Sequence, residues 1–552
     1  MGRRSWWLSP SGRQRAAPRP GTDPISSADT PAPTGEANGP ERRASRVPRF
    51  FRRNIASSYL KTGATAVIAL VTTPVLVHGL GTEAFGIWAI VVSLAVYRDV
   101  LQLGVATATP KFVAQYSALG DNKRVITAVA TSFWMLIIPG AAALVLGLGL
   151  VAVFPHLFGL PSDLRDSAQI LVLTVALMFA LSIPTDVFGC VLMGLQRYDL
   201  LNMVLTVVSI AQGIGWVIVI AAGGGLVPLG IVTASLGVIG QVWSFVLARR
   251  LVPDLTLAPR RADRQMVQPI FGLSVWIAVE EVSTIILTRL DILVVGIVLG
   301  VEAAAVYGVA QKLTLAIGQI MQPVADLFFP HASELAVLDD DAGLRRSLIS
   351  GTRIVAAVGA PLALAAALMA GPILNAWVGS GFDAGIPVVV FLSLTALILT
   401  VSSTGLVMLL GIGAGRGPAV IRGAESALNL GLSVVLAHLV GLEGVALGTL
   451  IAAFAANLLV LFPYMCRRFG VPLGQLVGTL LRAHAPPTTV TLLLGLALNS
   501  TDPSGIPAVA ASVIAIIVTY VAIFSISGLS AAERRGLLAQ LRRPSSQPDV
   551  SA

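Results

Sequence analysis

Stretches of about 20 apolar residues recur along the chain from residue 56 onward, separated by short polar links. A helix of this length spans the roughly 30 Å hydrocarbon core of a bilayer. The pattern therefore predicts an all-α polytopic membrane protein with about fourteen transmembrane helices. The predicted spans are 56–78, 85–107, 125–154, 167–190, 201–222, 227–247, 270–298, 303–328, 351–374, 386–410, 419–440, 443–464, 477–498 and 506–527.

One short sequence pattern occurs in both halves of the chain. Residues 80–90 read LGTEAFGIWAI and residues 299–309 read LGVEAAAVYGV, each in a tight link between two apolar runs. Downstream, Pro110 and Pro330 fall in step within one residue, and we expect each to end an apolar run and open a polar loop. We therefore predict two six-helix lobes related as a parallel internal repeat, followed by two further C-terminal helices.

The spans and their polar links divide the chain into segments. The predicted order is a disordered basic cytoplasmic tail, an N-terminal six-helix lobe, a cytoplasmic linker, a C-terminal six-helix lobe, helices 13 and 14, and a second cytoplasmic tail. The corresponding residues are 1–50, 51–250, 251–268, 269–470, 471–528 and 529–552.

Composition and charge placement agree with this topology. Only 12% of the residues are charged and the mean hydropathy is +0.84, whereas soluble chains carry about 25% charged residues. With the N-terminus inside, 32 of the 37 Lys and Arg residues lie in or beside cytoplasmic segments, and the outer links contain only Arg165. This bias predicts a multi-pass protein of the cytoplasmic (inner) membrane with both termini in the cytoplasm. The basic pI is then a consequence of topology and indicates no nucleic acid partner.

Several basic and amide side chains lie within or at the ends of apolar spans, where a charge costs about 2.5–3.5 kcal/mol. Arg98 and Lys312 lie deep in their spans and have no opposite charge three or four residues away. Such cations suit an anionic group such as a phosphate. The predicted substrate-binding residues are Lys61, Arg98, Gln102, Arg289, Lys312 and Arg422.

Acidic side chains in the spans are candidates for coupling transport to H⁺ or Na⁺. They are Glu280, Glu281, Asp291 and Glu425. Structural explanations remain open for part of this set of charges. Lys61 and Arg422 lie close enough to the cytoplasmic surface to extend their charges toward it. The alternative explanation for four of the charges is that they form structural ion pairs, Arg98 with Asp99 and Arg289 with Asp291. No nucleotide-binding loop or metal-ligand cluster occurs in the sequence, so no cofactor is expected.

Two segments resemble a known family. NIASSYLKTGATAVIALVTTPVLVHGLGTEAFGIWAIVVSL, followed by the D-x-L-x-L-G segment at 99–104, resembles the start of the bacterial O-antigen and exopolysaccharide flippases. RLDILVVGIVLGVEAAAVYGVAQKL resembles the opening of their second lobe. The likeness covers residues 50 to about 470. These flippases belong to a superfamily that also includes the multidrug-and-toxin-extrusion antiporters and the lipid II flippases.

The resemblance implies two six-helix lobes around a V-shaped cavity that opens alternately to either side of the membrane. It also implies that basic residues of the first two helices of each lobe bind a lipid diphosphate. The positions that match by location are Lys61, Arg98, Arg289 and Lys312.

The expected function is therefore translocation of an undecaprenyl-diphosphate-linked oligosaccharide for polysaccharide synthesis. Membrane lipids, H⁺ or Na⁺, and a polysaccharide polymerase are the candidate partners. The alternative is a cation-coupled drug or small-molecule antiporter of the same superfamily, which would favour an acidic, aromatic-lined cavity. A membrane-embedded enzyme would need a substantial outer loop with catalytic groups, and the predicted outer links are at most about a dozen residues long. We therefore expect a transporter and not an enzyme.

Overall fold

The computed structural model describes residues 49–102, 105–529 and 534. Within these ranges, the side chains of residues 49–56, 59, 95–96, 99, 106–107, 269, 271–286 and 288 lie outside the description. The predicted N-terminal tail and most of the predicted C-terminal tail also lie outside the described residues. The described part of the chain consists of helices and short links and contains no strand.

The first half forms six spans, of which the second and fourth are broken into consecutive helices. Its helices are α1 Arg49–Leu80, α2 Thr82–Ser93, α3 Ala95–Leu101, α4 Val105–Ala118, α5 Asn122–Leu157, α6 Arg165–Thr185, α7 Val187–Gly194, α8 Tyr198–Ala221 and α9 Leu226–Leu251.

The second half repeats this order and adds two helices. Its helices are α10 Arg264–Leu299, α11 Val301–Asp326, α12 Phe328–Val337, α13 Asp341–Leu368, α14 Ala370–Val378, α15 Ile386–Gly411, α16 Arg416–Val440, α17 Leu442–Ala453, the π-helix Phe454–Leu461, α18 Phe462–Arg468, α19 Leu473–Asn499 and α20 Ile506–Ser527. Short 3₁₀ turns occur at Pro259–Arg261 and Asp383–Gly385.

Each predicted span coincides with a helix or with a run of consecutive helices. Ten of the described helical segments are long and apolar enough to cross a membrane by length and composition. The remaining four spans are the broken run α2–α4 and the helices α10, α11 and α19. The prediction of an all-α polytopic membrane fold is confirmed.

The break between α6 and α7 lies beside a proline, which interrupts the helical hydrogen-bond ladder. Pro184 removes one backbone donor, and α6 ends at the next residue, Thr185. The expectation that Pro110 and Pro330 open polar loops is wrong, because Pro110 lies inside α4 and Pro330 inside α12. These two helices follow breaks in the second and eighth spans and continue both spans at equivalent positions in the two halves.

The internal repeat is visible in the backbone. Gly81 has φ 79° and ψ 167°, and Gly300 has φ 91° and ψ 175°. Side chains rarely permit this positive-φ conformation, so glycine suits the turn in both halves. Each glycine immediately precedes a helix, α2 or α11, which confirms the register of the two LG-x-EA segments.

The two halves meet along α2 and α11, near these glycine turns. Gly86 packs so closely on the backbone of Val301 that a Cβ at residue 86 would overlap the Val301 carbonyl oxygen. On the neighbouring α14, Trp377 Nε1 donates a hydrogen bond to the Leu70 carbonyl of α1 at 2.7 Å. This contact between α2 and α11 is the seam between the two halves.

The helix α10 belongs to both halves. It begins at Arg264, inside the predicted linker, and Ile270 packs in the first half against Val105, Leu136 and Ile183. Its later residues Ile292 and Val295 lie in the large core that also contains α2 and α11. The proposed lobe boundary near residue 269 therefore falls within a helix that begins beside one lobe and ends in the other.

The last two helices pack on the second half. Tyr520 and Phe524 of α20 lie in one apolar cluster with Ala360 and Leu364 of α13. His484 Nδ1 of α19 lies 2.8 Å from the Tyr520 hydroxyl. Helices α19 and α20 therefore extend the twelve-span core on one flank.

Candidate functional site

Each half contains an interior cavity with polar groups in its lining, ringed by largely equivalent helices. The cavity of the first half, about 180 Å³, lies between α3, α6, α8 and α9. The cavity of the second half, about 410 Å³, lies between α10, α11, α15, α16, α17 and the π-helix. Polar side chains recur between the two interiors at nearly constant spacing, in the pairs Gln212 and Asn429, Thr233 and Thr449, and Gln241 and Asn457.

An ion pair occupies the interior of the first half. Arg98 pairs with Asp186, which also accepts hydrogen bonds from Gln102 at 2.6 Å and from Gln241 at 2.5 Å. Arg98 Nε donates to the Ser182 hydroxyl at 3.2 Å. The two charged side chains are only 25% and 19% exposed. Arg98 is therefore not an unpaired charge, because a counter-charge on another span pairs with it, beyond the reach of helical spacing. The alternative partner Asp99 has a side chain outside the described residues.

The interactions with Asp186 give Arg98 and Gln102 a structural role. Asp186 lies at the break between α6 and α7, and Arg98 lies on the short helix α3 between two breaks of the second span. The cluster thus ties together broken segments of two spans and the α9 residue Gln241. Its side chains hold these segments in position whether or not they also contact a substrate.

We predict that Arg98→Ala lowers stability by about 1–3 kcal/mol, because it leaves a half-buried Asp186 carboxylate without its cation. The double variant Arg98→Ala, Asp186→Ala should recover part of this loss, since neither charge is then stranded. Thermal unfolding of the purified proteins and their abundance in the membrane fraction measure the effect. Strictly additive losses in the double variant would show that the two residues are not coupled.

An oxygen-rich centre lies in the interior of the second half. Asp291 of α10 is 3% exposed. Its carboxylate accepts hydrogen bonds from Tyr307 at 2.9 Å, Thr449 at 2.8 Å and Ser433 at 3.2 Å. The Asn429 amide oxygen accepts from the same Ser433 and Thr449 hydroxyls, at 2.8 and 3.3 Å.

Side-chain oxygens of five residues on four helices therefore form one buried cluster. Carboxylate, amide and hydroxyl oxygens are ligands for hard cations. The Asn429 Nδ2 group is buried and has no hydrogen-bond partner among the described residues. The structural alternative of an Arg289–Asp291 pair is wrong, because Asp291 points into this centre whereas Arg289 is exposed on α10.

A second carboxylate lies one turn before Asn429 on α16. Glu425 is 3% exposed and accepts a hydrogen bond from Asn457 Nδ2 at 2.8 Å, while Arg422 lies 3.8 Å away. Asn457 sits in the π-helix, a rare geometry that is frequent at functional sites. Glu425 and Arg422 were predicted from the sequence. Asn457, Ser433, Thr449 and Tyr307 were not, because uncharged residues on separate spans share no visible pattern.

Lys312 lies where the two halves meet. Its ammonium donates to the Thr73 hydroxyl of α1 at 3.3 Å and lies 5.1 Å from the centre of the Phe85 ring of α2. Among the described residues no carboxylate lies within ion-pair distance. A third cavity, about 150 Å³, opens beside it between α1, α11 and α14, and its lining includes Thr65, Gln319 and Trp377.

The other predicted residues do not join one cluster. Lys61 is half-buried on α1, one turn before Thr65. The side chains of Glu280 and Glu281 lie outside the described residues. The structure thus places Lys312 at the seam, Arg98 and Gln102 inside the first half, and Asp291, Arg422 and Glu425 inside the second half.

Comparisons with solved structures identify the fold. The chain superimposes on the lipid II flippase MurJ in an inward closed conformation with a TM-score of 0.65 and 16% identity, covering 88% of this chain and 100% of that one. It superimposes on an inward-facing multidrug resistance MATE family transporter of the MOP superfamily with a TM-score of 0.62 and 17% identity, covering 73% and 94%. The fold is that of these membrane transporters.

Sequence comparisons add the family. The chain is 22% identical over 439 residues to the uncharacterized membrane protein EpsK of Bacillus subtilis (strain 168), covering 76% of this chain and 84% of that protein. The family model for polysaccharide biosynthesis proteins matches residues 75–387. The solved structures that share this fold are transporters, in agreement with the expectation of a transporter. Because the matched segment spans more than half of its length, the chain belongs to the polysaccharide biosynthesis protein family.

Proposed function

We propose that the chain flips an undecaprenyl-diphosphate-linked oligosaccharide across the cytoplasmic membrane by alternating access, for the synthesis of O-antigen or exopolysaccharide. The observation that carries this proposal is Lys312, a lysine without an acidic partner among the described residues at the seam between the halves. A charge held inside a membrane protein without a counter-ion calls for a functional reason. The diphosphate of a lipid-linked glycan supplies the opposite charge.

The third cavity provides the path for such a lipid. It lies between α1 and α11 with Leu70, Leu313 and Ala316 among its apolar lining, and Lys312 stands in it. An isoprenoid chain can therefore stay in hydrocarbon between these helices while the diphosphate contacts the ammonium. The glycan then lies on the inner side of the seam formed by α2 and α11, which must open for release to the other leaflet.

We further propose that a small monovalent cation at the Asp291 centre couples this step to an ion gradient, with Na⁺ favoured by the oxygen donor set. Hydroxyl hydrogens rotate freely, so Ser433, Thr449 and Tyr307 can donate to the Asp291 carboxylate or turn their oxygens toward a cation. Binding or release of the cation at the Asp291 centre changes the electrostatic attraction among α10, α16 and α17. Because α10 also packs on the first half, the change reaches the seam.

The alternative of a drug antiporter receives less support. Cationic drugs favour a carboxylate in the cavity that they enter. Asp291 lines the larger cavity of the second half, but its carboxylate is engaged by three hydroxyls, and the third cavity contains Lys312 and no acidic residue among its described lining. The curated relative from Shigella flexneri, 20% identical over 325 residues, is described as a candidate O-antigen transporter. Both observations favour the anionic, lipid-linked substrate.

Disruption of the gene in its host tests the proposed function. Surface polysaccharide should be lost, and undecaprenyl-diphosphate-linked glycan should accumulate in the inner leaflet of the membrane, while the wild-type gene restores both. Normal surface polysaccharide together with increased sensitivity to cationic drugs would instead support the antiporter.

The proposed orientation places both termini in the cytoplasm. On a background lacking Cys190 and Cys466, a cysteine replacing exposed Arg260 should react with a membrane-impermeant maleimide only after the cells are opened. A cysteine replacing Asp163, in the link between α5 and α6, should react in whole cells. The reverse labelling pattern would contradict the topology.

A further inference from the structure

The 410 Å³ cavity of the second half is larger than an ion requires. Binding cavities for small organic ligands run from about 300 to 1,000 Å³, so this one falls within that range and has room for a sugar ring, whereas the 180 Å³ cavity of the first half falls below that range. The guanidinium of Arg98 lines that smaller cavity. The internal repeat has therefore produced one interior that is filled by an ion pair and one that is open.

The lining of the larger cavity has the donors and acceptors that sugar hydroxyls need. Gln319 of α11 presents its amide, and Gln322, whose Nε2 donates to Asp326 Oδ1 at 2.8 Å, keeps its amide oxygen as an acceptor. The Thr395 hydroxyl donates to the Phe391 carbonyl at 3.0 Å, so its oxygen lone pairs remain to accept hydrogen bonds. Apolar side chains between these groups, such as Met321 and Leu399, can pack on the faces of a sugar ring.

The cavity also lies beside the proposed diphosphate site. Leu315 and Gln319 line both this cavity and the third cavity in which Lys312 stands. Lys312 and Gln319 are seven residues apart on one helix, or about 10 Å along its axis at 1.5 Å per residue. A sugar attached to a diphosphate at Lys312 therefore reaches the cavity by passing one edge of α11.

We propose that this cavity is a binding site for the hexose or N-acetylhexosamine residue that is joined directly to the lipid diphosphate. The inference rests on the proposed function and specifies which part of the substrate the second half recognises. Amide and hydroxyl groups of the cavity select a sugar through the hydrogen bonds that they form with it. When the ligand has no sugar, these groups bond only to water. The site makes the transporter favour glycan-bearing lipid over the bare carrier.

Binding to the purified protein in lipid nanodiscs tests the proposal, with three probes. They are undecaprenyl diphosphate, the same lipid bearing N-acetylglucosamine, and the same lipid bearing galactose. Wild-type protein should bind at least one of the sugar-bearing lipids about tenfold more tightly than the bare carrier. In Gln322→Leu, Thr395→Val this ratio should fall below about threefold, while affinity for the bare carrier stays unchanged.

A matched control makes the same two substitutions away from any cavity described here. Gln115 is exposed on α4, and the Thr127 hydroxyl of α5 bonds the Lys123 carbonyl in an exposed position. Gln115→Leu, Thr127→Val should therefore keep the wild-type ratio. Lys312→Ala should weaken all three probes alike and so reports on the diphosphate site separately. Equal wild-type affinity for all three probes, or an unchanged ratio in Gln322→Leu, Thr395→Val, would overturn the sugar site while leaving the proposed function standing.

Discussion

Lys312→Gln should reduce export of surface polysaccharide about 10- to 100-fold while the protein remains at normal abundance. A hydrogen bond to a charged group contributes about 1.5–3 kcal/mol, and each 1.4 kcal/mol is a factor of ten. The substitution keeps a polar side chain near Thr73 and removes an ammonium that has no acidic partner among the described residues. Because removal of that charge also relieves a desolvation cost, stability should hold or rise.

Two further variants separate charge from position. Lys312→Arg keeps the charge on a bulkier head and should retain partial export if charge matters most. Lys111→Gln makes the same change on the exposed face of α4 and should export normally. Export at the wild-type level from a well-expressed Lys312→Gln protein would contradict the assignment of the diphosphate to this residue.

Asp291→Asn should abolish specific Na⁺ binding and slow transport at least tenfold. Asparagine has nearly the shape of aspartate, and the Tyr307, Ser433 and Thr449 hydroxyls can rotate to accept from its amide. The fold is therefore expected to survive while the Asp291 carboxylate of the centre is removed. Equilibrium binding of ²²Na⁺ to purified protein, with excess K⁺ as competitor, measures the first effect, and export in cells measures the second.

Asp163→Asn provides the control, because Asp163 is exposed in the link between α5 and α6. It should leave both binding and export unchanged. If Asp291→Asn binds ²²Na⁺ as wild type does, the coupling ion lies elsewhere, and Glu280, Glu281 and Glu425 become the next residues to replace.

Hydropathy and charge placement were sufficient to predict the helices. A span must be about 20 apolar residues long whatever its neighbours are, so each span can be recognised from its own sequence. The internal repeat could also be recognised from local sequence, since a turn with positive φ favours glycine, as at Gly81 and Gly300. The breaks between consecutive helices were harder to predict. Pro110 lies inside α4, and the residue between α11 and α12 is Leu327 and not a proline.

Pairings between spans were not predictable from the sequence. Arg98 has Asp99 beside it in the chain, and among the described side chains its ion-pair partner is Asp186 on a different span. The hydroxyls around Asp291 come from α11, α16 and α17, and nothing in their own sequence marks them. Only the packing of helices decides which polar residues share an interior, so sequence reasoning identified charges but not the centres that they form.

Flipping by purified protein in proteoliposomes tests the central claim most directly. Radiolabelled undecaprenyl-diphosphate-N-acetylglucosamine is placed in the inner leaflet, and an external galactosyltransferase modifies the molecules that reach the outer leaflet. Wild-type protein should transfer the lipid well above the rate of protein-free vesicles, Lys312→Gln should be close to that background, and neither protein should move ethidium. Transfer at background rate by wild-type protein, together with ion-driven ethidium transport, would contradict the account and favour the antiporter.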